Sequence, residues 1–154
     1  MANKSDTTWL YTDDSGFLVS TTPADACPLT LEEIKAKDVV TDKTVYTVNT
    51  ADLPKNWDFR DAWTYDGTNF GENMTVAREI HRRKIRIART EKLAALDIEF
   101  QRALETGAST TDIVAKKNAL RDAPADSAID SASDCAALKA QWNTAILGLS
   151  PYSS

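Results

Sequence analysis

The chain has 154 residues, 18 Lys+Arg against 23 Asp+Glu, a net charge of −5 and an apolar fraction of 42%. That balance excludes wholesale disorder and a generally basic nucleic-acid binder. No window reaches the ~18 uncharged apolar residues of a membrane span, and the opening Met1-Ala2-Asn3-Lys4-Ser5-Asp6 leads into no apolar secretory core.

In chain order, Thr8–Thr12 and Phe17–Ser20 read as a β-hairpin. Asp13-Asp14-Ser15-Gly16 between them has turn chemistry and lacks the acid spacing of a calcium loop. Pro23 and Pro28 mark a linker. Thr30 and Glu33 form a capping box for a short helix over 31–37, with Leu31 and Ile34 as its buried pair. Val39-Val40 and Thr44–Val48 read as strands around a bend at Asp42-Lys43. Trp57, Phe59 and Trp63 crowd one segment and read as an aromatic mini-core, although such a cluster also suits an interface. Ala62–Tyr65 and Thr68–Phe70 flank Asp66-Gly67, a two-residue hairpin signal, and this hairpin is expected against the start of the next helix.

That helix dominates the chain. From Asn73, a suitable N-cap, to Gly107, a suitable C′ residue, there is no Gly or Pro, and strong helix formers abound. At ~1.5 Å per residue the rod spans roughly 50 Å. Val76, Ile80, Ile87, Ala94 and Ile98 form one apolar stripe. Ile85, Leu93, Leu96, Phe100 and Leu104 form another, nearly opposite. One core needs one stripe, so two imply contact on two sides, either within this chain (the hairpin partner on one side, the N-terminal domain on the other) or with a second protein. Arg78, Arg82, Arg83, Lys84, Arg86, Arg89 and Lys92 against Glu79 and Glu91 give this region a local net of +5, leaving −10 elsewhere. No aromatic is interleaved for base stacking. The reading is a face neutralised by the chain's own acids, or one docked on an acidic protein, rather than a nucleic-acid site.

After Gly107 a second helix is expected over 111–122, folding back as an antiparallel hairpin through Ile113, Val114, Ala115, Ala119 and Leu120. Pro124 ends it. Ala125–Ser133 reads as linker. A third helix from Asp134 should bury Leu138, Trp142, Ala145 and Ile146 before Gly148 and Pro151. The fold class is α+β, divided as 1–52 (β-rich docking module) and 53–154 (small hairpin plus helical domain).

Chemistry-bearing residues are few. The single histidine, His81, lies among cations that favour its neutral ring, and no nucleophile pattern accompanies it. There is no phosphate loop, no metal motif and no paired Cys/His set. Cys27 and Cys135 fit no metal spacing and read as two thiols. No catalytic, cofactor or metal residue is expected. The candidate interface comprises Val76, Ile80, Ile87, Ile98, Trp57, Trp63, Arg82, Arg83 and Arg86.

One stretch resembles a known group. Leu53-Pro54, Phe59-Arg60-Asp61-Ala62-Trp63, Asn73–Ile80, Ile85–Arg89, Lys92–Asp97, Phe100–Glu105, Ile113–Asp122 and the Leu138…Trp142 helix together resemble a module of small virion or tail-associated proteins of tailed bacteriophages. The hairpin is also loosely similar to the C-terminal part of tail-fibre assembly chaperones. The match covers roughly 90 residues; the first fifty lie outside it. It implies a non-enzymatic virion protein at the tail or its fibres, contacting other phage structural proteins or further copies of itself. The alternative it implies is an assembly chaperone that leaves the finished particle.

Overall fold

A computed structural model describes residues 2–152. The chain is mixed α+β and divides between Asn73 and Met74 into two compact units.

In the first unit, β1 (Thr7–Thr12) lies between β2 (Leu18–Thr21) and β3 (Tyr46–Asn49), antiparallel to both. The β1–β2 turn closes on Asp13, whose Oδ1 accepts the Ser15 and Phe17 amides, each at 2.9 Å. Gly16 supplies the φ of +85°. The acid at this turn therefore serves the backbone.

Helix α1 (Leu31–Asp38) begins at the expected capping box. The Glu33 amide donates to Thr30 Oγ1 (3.3 Å) and the Thr30 amide to Glu33 Oε2 (2.8 Å). Val39 caps the end of α1 instead of starting a strand. It is buried with Trp9 and Ile34, so its β propensity is overridden by packing onto the face of β1.

The second hairpin pairs β4 (Trp63–Tyr65) with β5 (Phe70–Glu72). Its loop is Asp66–Asn69, longer than the two residues expected. Asp66 Oδ1 takes the Thr68 and Asn69 amides at 2.8 and 2.7 Å, while Gly67 sits at φ +99°. Trp63 is buried with Leu10 and Leu18, flanked by Tyr46, Leu53, Tyr65 and Phe70. This shared cluster explains why the division falls at Asn73/Met74 and not at 52/53. The aromatic segment completes the core of the first sheet.

The second unit opens with α2 (Met74–Thr106), 33 residues without interruption. It ends as its sequence suggests. Gly107 adopts φ +69°, its amide reaches Leu104 O (3.3 Å), and the Ala108 amide reaches Ala103 O (2.8 Å). This is a Schellman closure.

Helix α3 (Thr111–Asp122) runs back along α2: Lys117 meets Asp97 at 2.6 Å, while Arg89 reaches the carbonyls of Leu120 and Arg121. Leu96 and Leu120 are buried, but Val114 and Leu104 stay largely exposed, so the hairpin is less tightly zipped near its tip than expected.

Residues 125–133 are not a plain linker. Asp126 caps a short α4 (Ser127–Ser131) that inserts Ile129 fully into the core. The expected third helix is two pieces, α5 (Cys135–Gln141) and α6 (Thr144–Leu147). Asn143 breaks it by accepting the Ala145 amide at 3.1 Å as a new N-cap. The break replaces Ala145 and Ile146 by Leu147 as the buried residue. Cys27 and Cys135 remain thiols.

Candidate interaction surface

The faces of α2 have different fates. Ala77, His81, Ile85, Leu96 and Ala103 are buried. At 100° per residue they cluster on one side. The opposite side carries Val76 and Ile80, which are half-buried, then Ile87 and Ile98, which are 68% and 56% exposed. Of the two apolar stripes, the one through Ile85 and Leu96 is core. The other is half-buried at Val76 and Ile80 and open from Ile87 to Ile98.

The basic run is mostly consumed internally, and by carbonyls more than by acids. Arg78 donates to the carbonyls of Ile129 (3.2 Å) and Ala132 (3.1 Å). Arg82 donates to Pro124 O (3.1 Å) and pairs with Asp130 at 2.6 Å. Arg89 Nη1 donates to Leu120 O (3.2 Å) and Arg121 O (2.7 Å). Helix ends leave carbonyls without intrahelical partners, and cations are favoured there. The three guanidinium groups stitch the ends of α3 and α4 to the long helix. Arg86 pairs with Glu79 at 2.6 Å, which holds that carboxyl below its ordinary range. Arg83 points to solvent.

His81 is fully buried. Its Nδ1 meets the Tyr152 hydroxyl, and its Nε2 lies 2.5 Å from Gln141 Oε1. With Nε2–H donating to the amide oxygen, neutral Nδ1 accepts the Tyr152 proton. The Tyr152 ring stacks on the imidazole, with Lys84 and Lys139 over its face and Trp142 at its edge. Both ring nitrogens are thus engaged, Nε2 with the end of α5 and Nδ1 with the segment after α6. Burial pushes the His81 pKa below 6.5; Arg82 and Lys84 push the same way, while the Gln141 hydrogen bond opposes them.

Between the lowered folded value and 6.5, the unfolded chain holds a proton that the folded chain does not. Stability therefore rises with pH there, is complete above about 6.5, and is lost progressively as pH falls. The carboxyls held low by their hydrogen bonds (Asp14, Asp25, Glu33, Asp66, Glu79) lose their contributions only at more acid pH, below 3.8–4.5. Thermal melts from pH 7.5 to 5 should show a falling Tm, and His81→Gln should flatten that slope. A wild-type curve without slope in this window refutes the assignment.

An open apolar groove of about 480 Å³ runs beside Leu96, Ala115, Ala119, Leu120, Ala145 and Ile146, with Lys92, Glu99 and Lys116 at its rim. Among the described residues no three His, Cys, Asp or Glu side chains are placed to hold a metal ion, and no helix is long and apolar enough to cross a membrane.

The candidate residues of the first unit separate as well. Trp57 is 61% exposed and leans on Trp63 at 4.8 Å. Trp63 is core, with its Nε1–H donating to Asn56 Oδ1 at 2.7 Å. Sequence reasoning missed the partners of His81, because Gln141 and Tyr152 lie 60 and 71 residues away. It also missed Glu91, which lies on the open face of α2; the signal was its four-residue spacing from Ile87. No known protein family, curated protein or solved structure matches this chain.

Proposed function

We propose that this chain is a non-enzymatic structural protein of a tailed-bacteriophage virion, a tail or tail-fibre component that acts by packing against neighbouring subunits. The observation that carries the reading is the open apolar stripe of α2, with Ile87 and Ile98 facing solvent on the side away from the helix's own core. An apolar row on a rigid helix is a contact surface. The phage assignment itself rests on the sequence resemblance between Leu53 and Trp142. A mechanical role also fits His81, whose two nitrogens are occupied by Gln141 of α5 and by Tyr152.

The test is mass spectrometry of purified, intact virions of the phage that encodes the chain. Peptides at a constant ratio to the tail proteins are the expected result. Their absence from particles overturns the proposal. If the chain then co-purifies from infected cells with a soluble fibre protein, it is an assembly chaperone.

A further inference from the structure

We propose that the open face of α2 is a self-recognition surface on which a second copy of this chain lies antiparallel, with a two-fold axis passing Ile87.

The face reads Val76, Ile80, Arg83, Ile87, Glu91, Ala94, Ile98, in steps of four and three, the spacing of a helical contact seam. It is symmetric about Ile87. Four residues to either side stand Arg83 and Glu91, of opposite sign. Seven to either side stand Ile80 and Ala94, and eleven to either side stand Val76 and Ile98. A two-fold axis perpendicular to the helix at Ile87 lays each of these residues level with its counterpart on the second copy. Arg83 then meets Glu91 of the second copy, and the reciprocal pair forms by symmetry. Apolar residues meet apolar residues at the other levels, as an isologous contact requires.

A parallel, in-register pair would set Arg83 on Arg83 and Glu91 on Glu91. Charge therefore selects the antiparallel arrangement. Arg83 and Glu91 are both exposed; among the described residues neither side chain makes a hydrogen bond or close ion pair, and Arg83 has Glu79, already paired with Arg86, within coulombic reach. The other cations of the segment do not oppose the contact. Arg78, Arg82 and Arg89 are engaged on the core side, Arg86 is paired with Glu79, Lys84 lies over Tyr152, and Lys92 lines the groove beside Leu96 and Leu120. The seam from Val76 to Ile98 is about 33 Å long at 1.5 Å per residue. That is small for a protein interface, so association in the micromolar range is expected.

Sedimentation of the full chain across the micromolar range should show a mass rising from 16.9 kDa towards twice that value. Ile87→Asp should stay monomeric with unchanged circular dichroism. Arg83→Glu and Glu91→Arg should each weaken association about tenfold or more by facing like charges. The double variant Arg83→Glu/Glu91→Arg restores both pairs and should recover wild-type association. Ile87→Cys, in a Cys27→Ser background, should give a disulfide-linked dimer on oxidation, because a residue on the axis meets itself. A wild type that is monomeric throughout overturns the proposal. A double variant no better than the single ones, or no cross-link at Ile87, overturns the antiparallel register.

The inference shares with the virion proposal the premise that this face is a contact surface, yet the two fail separately. A monomer found in virions sinks only the dimer. A dimer absent from virions sinks only the virion assignment.

Discussion

Ile85→Asp should unfold the helical unit, whereas Ile87→Asp, two residues further along α2, should leave the fold of the monomer intact. Ile85 is 1% exposed and Ile87 is 68% exposed, so the same carboxylate enters two different solvents. At 85 it loses its hydration without gaining a partner, which costs several kcal/mol. Deleting the buried isoleucine removes roughly 2 kcal/mol more of apolar transfer energy. A unit of about eighty residues has a total stability of about 4–12 kcal/mol, so the change takes most or all of it. At 87 the expected effect on the monomer is within about 0.5 kcal/mol. Thermal melts should be run at dilution, because a dimer adds concentration-dependent stability. Should Ile87→Asp also melt the monomer, the stripe is core, and both proposals built on it fail.

What the sequence disclosed follows from how local each cause is. The ends of α2 and the capping box of α1 rest on residues within a few positions of each other, and all were legible. Val39 was misread because its β-branched side chain is satisfied by distant Trp9, which no local propensity encodes. The break at Asn143 was overlooked because the apolar spacing of Leu138, Trp142 and Ile146 runs through it. Only the N-cap chemistry of Asn143 marks the interruption.

The basic run shows the same limit. Its charge was evident, but its destination was not, since the partners of Arg78, Arg82 and Arg89 are main-chain carbonyls contributed by 120–132. Backbone acceptors have no residue signature. A cluster of arginines facing a returning helix can therefore be structural while looking like a binding patch. Of the candidate interface, the structure leaves Ile87, Ile98, Arg83 and Trp57 at the surface. It places Trp63 in the core, leaves Val76 and Ile80 half-buried, and pairs Arg82 and the exposed Arg86 with acids of the chain itself.

Trp63→Ala should be the most damaging single truncation in the β-rich unit. The indole is 2% exposed among Leu10, Leu18, Tyr46, Leu53, Tyr65 and Phe70, and it is where the second hairpin joins the first sheet. Removing it leaves a cavity and costs about 3–5 kcal/mol. It also strips Asn56 Oδ1 of its donor at 2.7 Å and removes the ring on which Arg60 rests at 4.7 Å. Arg60 would keep its bond to Ser20 Oγ at 2.9 Å, so the guanidinium loses a face and not its anchor. Trp63→Phe should cost less, because the ring is partly kept and the main loss is the hydrogen bond, worth about 1 kcal/mol. Trp57→Ala is the control: that side chain is 61% exposed, and its loss should cost well under the core value. Hydrogen exchange resolves the three variants. Amides of β1, β2 and β3 should lose most protection in Trp63→Ala, part of it in Trp63→Phe and little in Trp57→Ala. Equal protection in all three would mean that the aromatic segment does not close this core, and the division at Asn73/Met74 would lose its physical basis.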